Sequence, residues 1–362
     1  MNRIHNFNAG PATLPIEVLE AVQTDLLNWK KTGMSIMEVS HRSKSFIEMM
    51  EQAERDLRDL LDVPKNYCVL FLQGGASLQF SMVPMNLSSP KDIVDYVITG
   101  YWGKKAALEA SLFCNVNIAT DAANNDYTAI PEISTWNQSK EPVYMHITQN
   151  ETINGVEFHF VPDISDRIPI IADMSSTILS RPINVNKYGI IYAGAQKNIG
   201  PAGLTLVIIR DDLLQSAIDK KIPTLLSYKA LSDAKSLINT PPTFSLYVAG
   251  LIFKHLKNIG GLSVVADINK RKSKKLYKAI DDSDFYINLI NTKNRSWMNI
   301  PFSLADRQLE KTFLLEAELE GMKNLRGHRS VGGMRASIYN AISEKVVDDL
   351  ISFMKYFEKH NG

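Results

Sequence analysis

Six short, nearly continuous apolar runs constrain this chain more than any other feature: residues 67–72, 93–98, 143–147, 168–172, 190–193 and 204–209. Between them lie stretches of helical periodicity. A strand apolar at every position has both faces buried, so these runs predict a mostly parallel α/β sheet covered by helices on either side. In such a sheet, functional groups gather beyond the carboxyl ends of the strands.

Two helices precede the sheet. Pro15 heads an amphipathic stretch (Ile16, Leu19, Val22, Leu26, Leu27) that reads as a helix ending near Trp29. A second is predicted from Ser45, through a capping box with Glu48, to a stop at Pro64. After about residue 245 the texture changes. A helix from Ser245 past Leu256 runs to Gly260-Gly261, and a basic amphipathic stretch spans Lys270 to Lys278. Short strands are then predicted over 285–289, 297–301 and 334–338, with helices over 306–320 and 344–358. That pattern reads as a smaller α+β lobe, with Asn239-Thr-Pro-Pro242 as the boundary segment.

Charge and cysteine usage exclude several classes. Forty Lys and Arg against thirty-nine Asp and Glu give a net charge of +1, without the basic excess that neutralising many nucleic-acid phosphates requires. Cys68 and Cys114 make no C-x-x-C pair and no disulfide framework, and read as free thiols. The N-terminal segment shows no apolar core of a secretory signal, and no run is long enough for a membrane span, so a cytoplasmic protein is expected. There is no G-x-G-x-x-G after a strand, no P-loop, no H-E-x-x-H and no G-x-S-x-G; no metal is expected.

Three strand-end features carry chemistry. The run ending at Gln73 enters Gly74-Gly-Ala-Ser77 and then a helical pattern, which would aim free N–H groups at an anion; a tight turn capped by Ser77 reads the same way. Asp173 closes the fourth run, where a carboxylate also serves as a helix cap. Lys197 follows the fifth among small residues and no acidic neighbour, where desolvation would make its amine nucleophilic. Phosphate cradle, ring-nitrogen carboxylate and Schiff-base lysine are together what pyridoxal phosphate requires.

Longer motifs extend this set. Asn6-Phe-Asn-Ala-Gly-Pro-Ala12, Met37-Glu-Val-Ser-His-Arg42, Gly74-Gly-Ala-Ser-Leu-Gln-Phe80, Gly100-Tyr-Trp102, Tyr192 to Gly203, Asn239-Thr-Pro-Pro-Thr243 and Gly327 to Asn340 closely resemble, in order along the chain, the phosphoserine aminotransferase family of class V pyridoxal-phosphate enzymes. The resemblance implies fold type I: a large cofactor domain over 16–245, a small domain from 1–15 and 246–362, and a homodimer with shared active sites. It implies amino transfer between L-glutamate and 3-phosphohydroxypyruvate, giving 2-oxoglutarate and O-phospho-L-serine. Some members also act on the four-carbon homologue 4-phosphohydroxy-L-threonine in pyridoxine biosynthesis.

By the same resemblance Lys197 joins the cofactor and moves the substrate's Cα proton, Asp173 pairs with the pyridine nitrogen, and Trp102 stacks on the ring. Thr152 bonds the phenolic oxygen. Ala76, Ser77 and Gln196 hold the phosphate from one subunit, Asn239 and Thr240 from the other. The chain departs from the family pattern at Ala9, where a small polar residue is common, and at Ala76-Ser77, where some members carry arginine. The dipeptide His-Arg occurs twice, as His41-Arg42 and His328-Arg329, with Arg335 close behind. Arginine forks bind carboxylate and phosphate, so this set suits a small polyanionic substrate, although either pair alone also reads as solvated surface. Two other classes compete: a cysteine desulfurase, which needs a loop cysteine, and a scaffold without catalysis, against which intact Lys197 and Asp173 argue.

Overall fold

The six apolar runs form all but one strand of a seven-stranded sheet in a computed structural model that describes residues 3–215 and 221–362. Counting from β1 (His5–Asn6), the sheet strands are β2 (Tyr67–Leu72), β3 (Ile93–Ile98), β4 (Asn115–Asp121), β5 (Met145–Thr148), β6 (Ile170–Asp173), β7 (Ile190–Gly194) and β8 (Thr205–Arg210). Their spatial order is β2-β8-β7-β6-β5-β3-β4. Only β8 runs against its neighbours, so β2, β3, β5, β6 and β7 point their carboxyl ends to one edge. That edge carries the site.

Every residue of β5, β6 and β7 is buried, because helices cover both faces. One face packs on α1 (Ile16–Asp25), α2 (Lys44–Leu61) and a later helix over Thr243–Asn258, with Phe46, Leu57, Ile147, Ala172 and Phe253 among the core. The other packs on α3 (Gly75–Leu87), α4 (Tyr101–Ala110) and, past the short α5 (Asp211–Gln215), on α6 (Tyr228–Asp233), around Phe80, Val94, Ala106 and Tyr192.

Local chemistry corrects some expected boundaries. The first helix ends at Asp25, and Trp29 sits in a separate turn of 3-10 helix. The second starts two residues earlier than the predicted capping box: Ser43 is the cap, its hydroxyl accepting the Phe46 N–H at 3.3 Å, and Asp62 in a left-handed conformation ends the helix before Pro64 is reached. The edge strand β4 has no counterpart among the predicted runs. Its sequence, Asn-Val-Asn-Ile-Ala-Thr-Asp, is half-buried, with a single residue, Ala119, fully buried, and Asn117 anchors it by donating to Asp95 at 2.9 Å.

Beyond the sheet, α7 (Thr243–Asn258) lies along α2 and sends Leu246, Ile252 and Phe253 into the large-lobe core, so residues 245/246 fall inside this helix. Next, α8 (Gly261–Asp281) spans two cores: Leu262 and Val265 pack with the sheet, Leu276 and Ile280 with the C-terminal lobe. Between them the buried Lys272 donates to three carbonyls, of Ile338, Tyr339 and Ile342, at 2.8–3.1 Å. The C-terminal lobe holds β9 (Tyr286–Ile287), β10 (Asn299–Leu304), α9 (Glu310–Leu319), β11 (Met322–Lys323), β12 (Met334–Ser337) and α10 (Glu344–Asn361), with sheet order β12-β10-β9. The first strand, β1, pairs in parallel with β11, and Phe7 is buried in the core of this lobe. The chain's start therefore lies on its end.

Candidate active site

Where the strands end, a cavity of about 300 Å³ opens between the sheet edge and the C-terminal lobe. Asp173, the last residue of β6, lies buried in its floor. Ser175 donates both its N–H (2.9 Å) and its hydroxyl (2.6 Å) to Asp173 Oδ1, and its oxygen accepts the Gly194 N–H at 3.0 Å. One serine thus fixes the carboxylate and ties the end of β6 to the end of β7. Lys197 follows β7 by three residues, and its Nζ donates to Thr152 Oγ1 at 2.6 Å.

The facing wall is a helix start. After β2, Gly74 and Gly75 adopt φ of +92° and +66°, a left-handed pair that a side chain would strain, and α3 begins at once with Gly75, Ala76 and Ser77 lining the cavity. Their free N–H groups and the positive end of the helix favour an anion there. Trp102, in the first turn of α4, supplies an indole to the same cavity, and Gln196 lines it beside Lys197. His328 and Arg335 close it from the C-terminal lobe, with Arg335 Nη1 donating to the Thr152 carbonyl at 3.2 Å.

Burial dominates the electrostatics. It pulls the Lys197 amine down to about 8, with the positive Arg335 adding to the fall. The sequence reading gave this lysine no acidic partner; the fold brings it Asp173 and Glu151, which oppose the shift without cancelling it. Burial raises the Asp173 carboxyl, while Lys197 and Ser175 pull it back. His328 is lowered by burial, then by Arg335 and Arg329. The arrangement offers a nucleophilic amine, a buried carboxylate held by one oxygen, an anion cradle and an arginine within one cavity. Four buried polar atoms around it, Trp102 Nε1, Thr148 Oγ1, Asn150 Oδ1 and Arg335 Nε, have no hydrogen-bond partner among the described residues, as a site shaped for a polar ligand would leave them. Pyridoxal phosphate is a group this donor set fits.

Residues 4–350 match the family model for class-V aminotransferases. The chain belongs to this family. Among curated relatives, a phosphoserine aminotransferase of Hahella chejuensis is 56% identical over 361 residues, covering 100% of this chain and 99% of that one. The solved phosphoserine aminotransferase of Bacillus circulans subsp. alkalophilus superposes with a TM-score of 0.97 at 44% identity, covering 99% of each chain. A pyridoxal-phosphate-bound phosphoserine aminotransferase from Trichomonas vaginalis gives 0.93 at 42% identity, over 98% of this chain and 100% of that one.

Within this class-V fold, the cavity gathers Ala76, Ser77, Trp102, Thr152, Asp173, Gln196, Lys197, His328 and Arg335 from the sequence-predicted set. It does not gather His41, Arg42, Asn239, Thr240 or Arg329. Arg42 and Arg329 are exposed, and among the described residues neither has an ion-pair partner. His41 is half-buried, its Nε2 without a hydrogen-bond partner among the described residues. Asn239 and Thr240 lie exposed behind Gly74, where Gln73 Nε2 donates to the Thr240 carbonyl at 2.9 Å. Sequence reasoning missed Thr148, Asn150, Ser175 and Glu151. For the first two the available signal was position: Thr148 ends β5 and Asn150 follows by two, at the edge where the strand-end rule already looked.

Proposed function

We propose that this class-V aminotransferase is a phosphoserine aminotransferase, moving an amino group between L-glutamate and 3-phosphohydroxypyruvate to give 2-oxoglutarate and O-phospho-L-serine. The observation that carries the reading is one cavity holding the Lys197 amine, the Asp173 carboxylate and the Gly75–Ser77 helix start, with His328 and Arg335 on the substrate side. Bound pyridoxal phosphate supplies the electron sink that loosens the substrate's Cα–H bond. Lys197 provides the amine that holds the cofactor and then moves the proton at Cα. Asp173 keeps the pyridine nitrogen protonated, Thr152 orients the phenolic oxygen, Trp102 covers the ring, and Ala76, Ser77 and Gln196 hold the phosphate. Arg335 takes the substrate's α-carboxylate.

The half-buried His41 and the exposed Arg42, Asn239 and Thr240 fit this reading as groups given across a homodimer. Arg42 and His41, with His328 and Arg329, then hold the substrate's distal anion, and Asn239 and Thr240 the partner's cofactor phosphate. The division expected from the sequence, a large domain over 16–245 and a small one from 1–15 with 246–362, stays part of this reading, although its boundary cuts α7, a helix packed in the large-lobe core. Among the described residues no helix is long and apolar enough to cross a membrane; a cytoplasmic location is part of the proposal. The direct test is turnover of glutamate with 3-phosphohydroxypyruvate against unphosphorylated hydroxypyruvate. Strong preference for the phosphate is expected, and equal use of both ketoacids overturns the assignment.

Two further outcomes follow from the geometry. Only neutral amine attacks a carbonyl, so covalent capture of added pyridoxal phosphate by the cofactor-free protein should accelerate with pH, with a midpoint near the Lys197 value of about 8. Stopped-flow absorbance reads this directly, and a rate flat from about pH 6.5 to about 9.5 contradicts a buried, depressed amine. For the shared site, subunits carrying Lys197→Ala and subunits carrying Asn239→Ala with Thr240→Ala, each inactive alone, should regain activity when mixed dimers form. No recovery in isolated mixed dimers rules out sharing.

A further inference from the structure

Glu151 is fully buried, one residue before Thr152, and has no ion-pair partner among the described residues. Its carboxylate instead grips the start of α4: Oε2 accepts the Trp102 N–H at 3.0 Å and Oε1 the Gly103 N–H at 2.8 Å. These are the orphan donors that every helix start must satisfy, and most helices satisfy them with a local Ser, Thr, Asp or Asn. Here the N-cap position is Gly100, which has no side chain to offer. A Cβ at Gly100 would lie 2.6 Å from Glu151 Cδ, so glycine is what lets the carboxylate reach the helix. The helix is capped from the segment that follows the neighbouring strand, β5.

The consequence is positional. The first turn of α4 presents two rings to the site: Trp102 lines the cavity, and Tyr101 meets the His328 ring with centroids 5.8 Å apart. On the other side, Glu151 is joined through one peptide bond to Thr152, whose hydroxyl holds the Lys197 amine at 2.6 Å. Asn150, the preceding residue, donates to Asn299 Oδ1 at 3.2 Å, which anchors the segment in β10. A single carboxylate therefore links the wall that carries the indole to the wall that carries the amine.

Resting on the aminotransferase reading, we infer that Glu151 is a positioning residue: by holding the start of α4 it sets the gap between the Trp102 indole and the Thr152–Lys197 edge, and so how tightly and in which orientation the cofactor ring is held. Desolvation lifts this carboxyl to about 7, against the pull of the two N–H groups and of Lys197, and with Asp173 adding to the rise.

The test compares wild type with Glu151→Gln and Glu151→Asp, each alone and combined with Trp102→Ala. The amide turns one acceptor into a donor facing an N–H, and the aspartate falls short by a methylene. Losing one charge-assisted hydrogen bond should weaken pyridoxal phosphate binding about tenfold, read by equilibrium fluorescence titration, and diminish the visible circular dichroism of the bound ring. If Glu151 acts through Trp102, the double variants bind no more weakly than Trp102→Ala alone. Unchanged affinity and dichroism in Glu151→Gln, or full additivity with Trp102→Ala, overturns the proposal, even where thermal stability drops. Should Glu151→Gln fail to fold, the same readouts on Glu151→Asp decide. Failure of wild type itself to bind pyridoxal phosphate is the distinct result that removes the aminotransferase reading beneath it.

Discussion

Replacing Lys197 with alanine is expected to lower amino transfer by on the order of 10⁴-fold or more, because the proposed covalent hold on the cofactor and the proposed proton carrier at Cα would vanish together. The fold should survive. Among the described residues the side chain makes one hydrogen bond, to Thr152, and burial disfavours its ammonium, pulling the amine down to about 8. Removing it relieves a desolvated charge and leaves the anion cradle at α3 untouched, so noncovalent cofactor should remain detectable. The discriminating measurement is chemical rescue. A small primary amine added to Lys197→Ala should restore part of the proton transfer, with a dependence on the amine's basicity, whereas a variant disturbed only in packing gains nothing from it. Turnover within tenfold of wild type, without added amine, would remove Lys197 from the reaction.

Legibility in the sequence followed burial and sequence distance. The middle strands could be read because β5, β6 and β7 are buried at every residue, which only a doubly covered sheet produces. The edge strand β4 could not, since an edge facing water needs no apolar face and its Asn-rich sequence resembles a loop. In the site, Asp173 and Lys197 were visible because each closes or follows an apolar run, and parallel topology sends such positions to one edge. Glu151 was not. Its meaning depends on Gly100 and the start of α4, some fifty positions earlier, and nothing local in either segment announces the pairing. The same limit applies to Lys197 itself: its flanks contain no acid, yet the fold supplies two. His41, Arg42, Asn239 and Thr240 mark a different limit, for their proposed partners lie on a second copy of the chain. Motif resemblance pointed to them; the geometry of one subunit leaves them outside the cavity.

Asp173→Asn is the second substitution with a large expected effect, and it separates charge from shape. Asparagine is nearly isosteric, and its Oδ1 still accepts from the Ser175 N–H and hydroxyl, which engage that oxygen in the wild type at 2.9 and 2.6 Å. The amide nitrogen then takes the place of Oδ2, so a donor faces the ring nitrogen where an anionic acceptor is proposed to stand. Loss of one preorganised charged contact at the reacting group typically lowers kcat by roughly 10²–10³-fold, about 3–4 kcal/mol. Activity should fall by that amount while thermal stability changes little. The charge has a second, opposite consequence. Asp173 raises the Lys197 amine above where burial alone would leave it, so removing the charge should move that amine below about 8. Cofactor-free Asp173→Asn should therefore capture added pyridoxal phosphate with its pH midpoint displaced toward acid, even as turnover collapses. An unmoved midpoint with reduced turnover would confine Asp173 to the ring nitrogen and break its proposed coupling to Lys197; full activity would remove the carboxylate from the chemistry altogether.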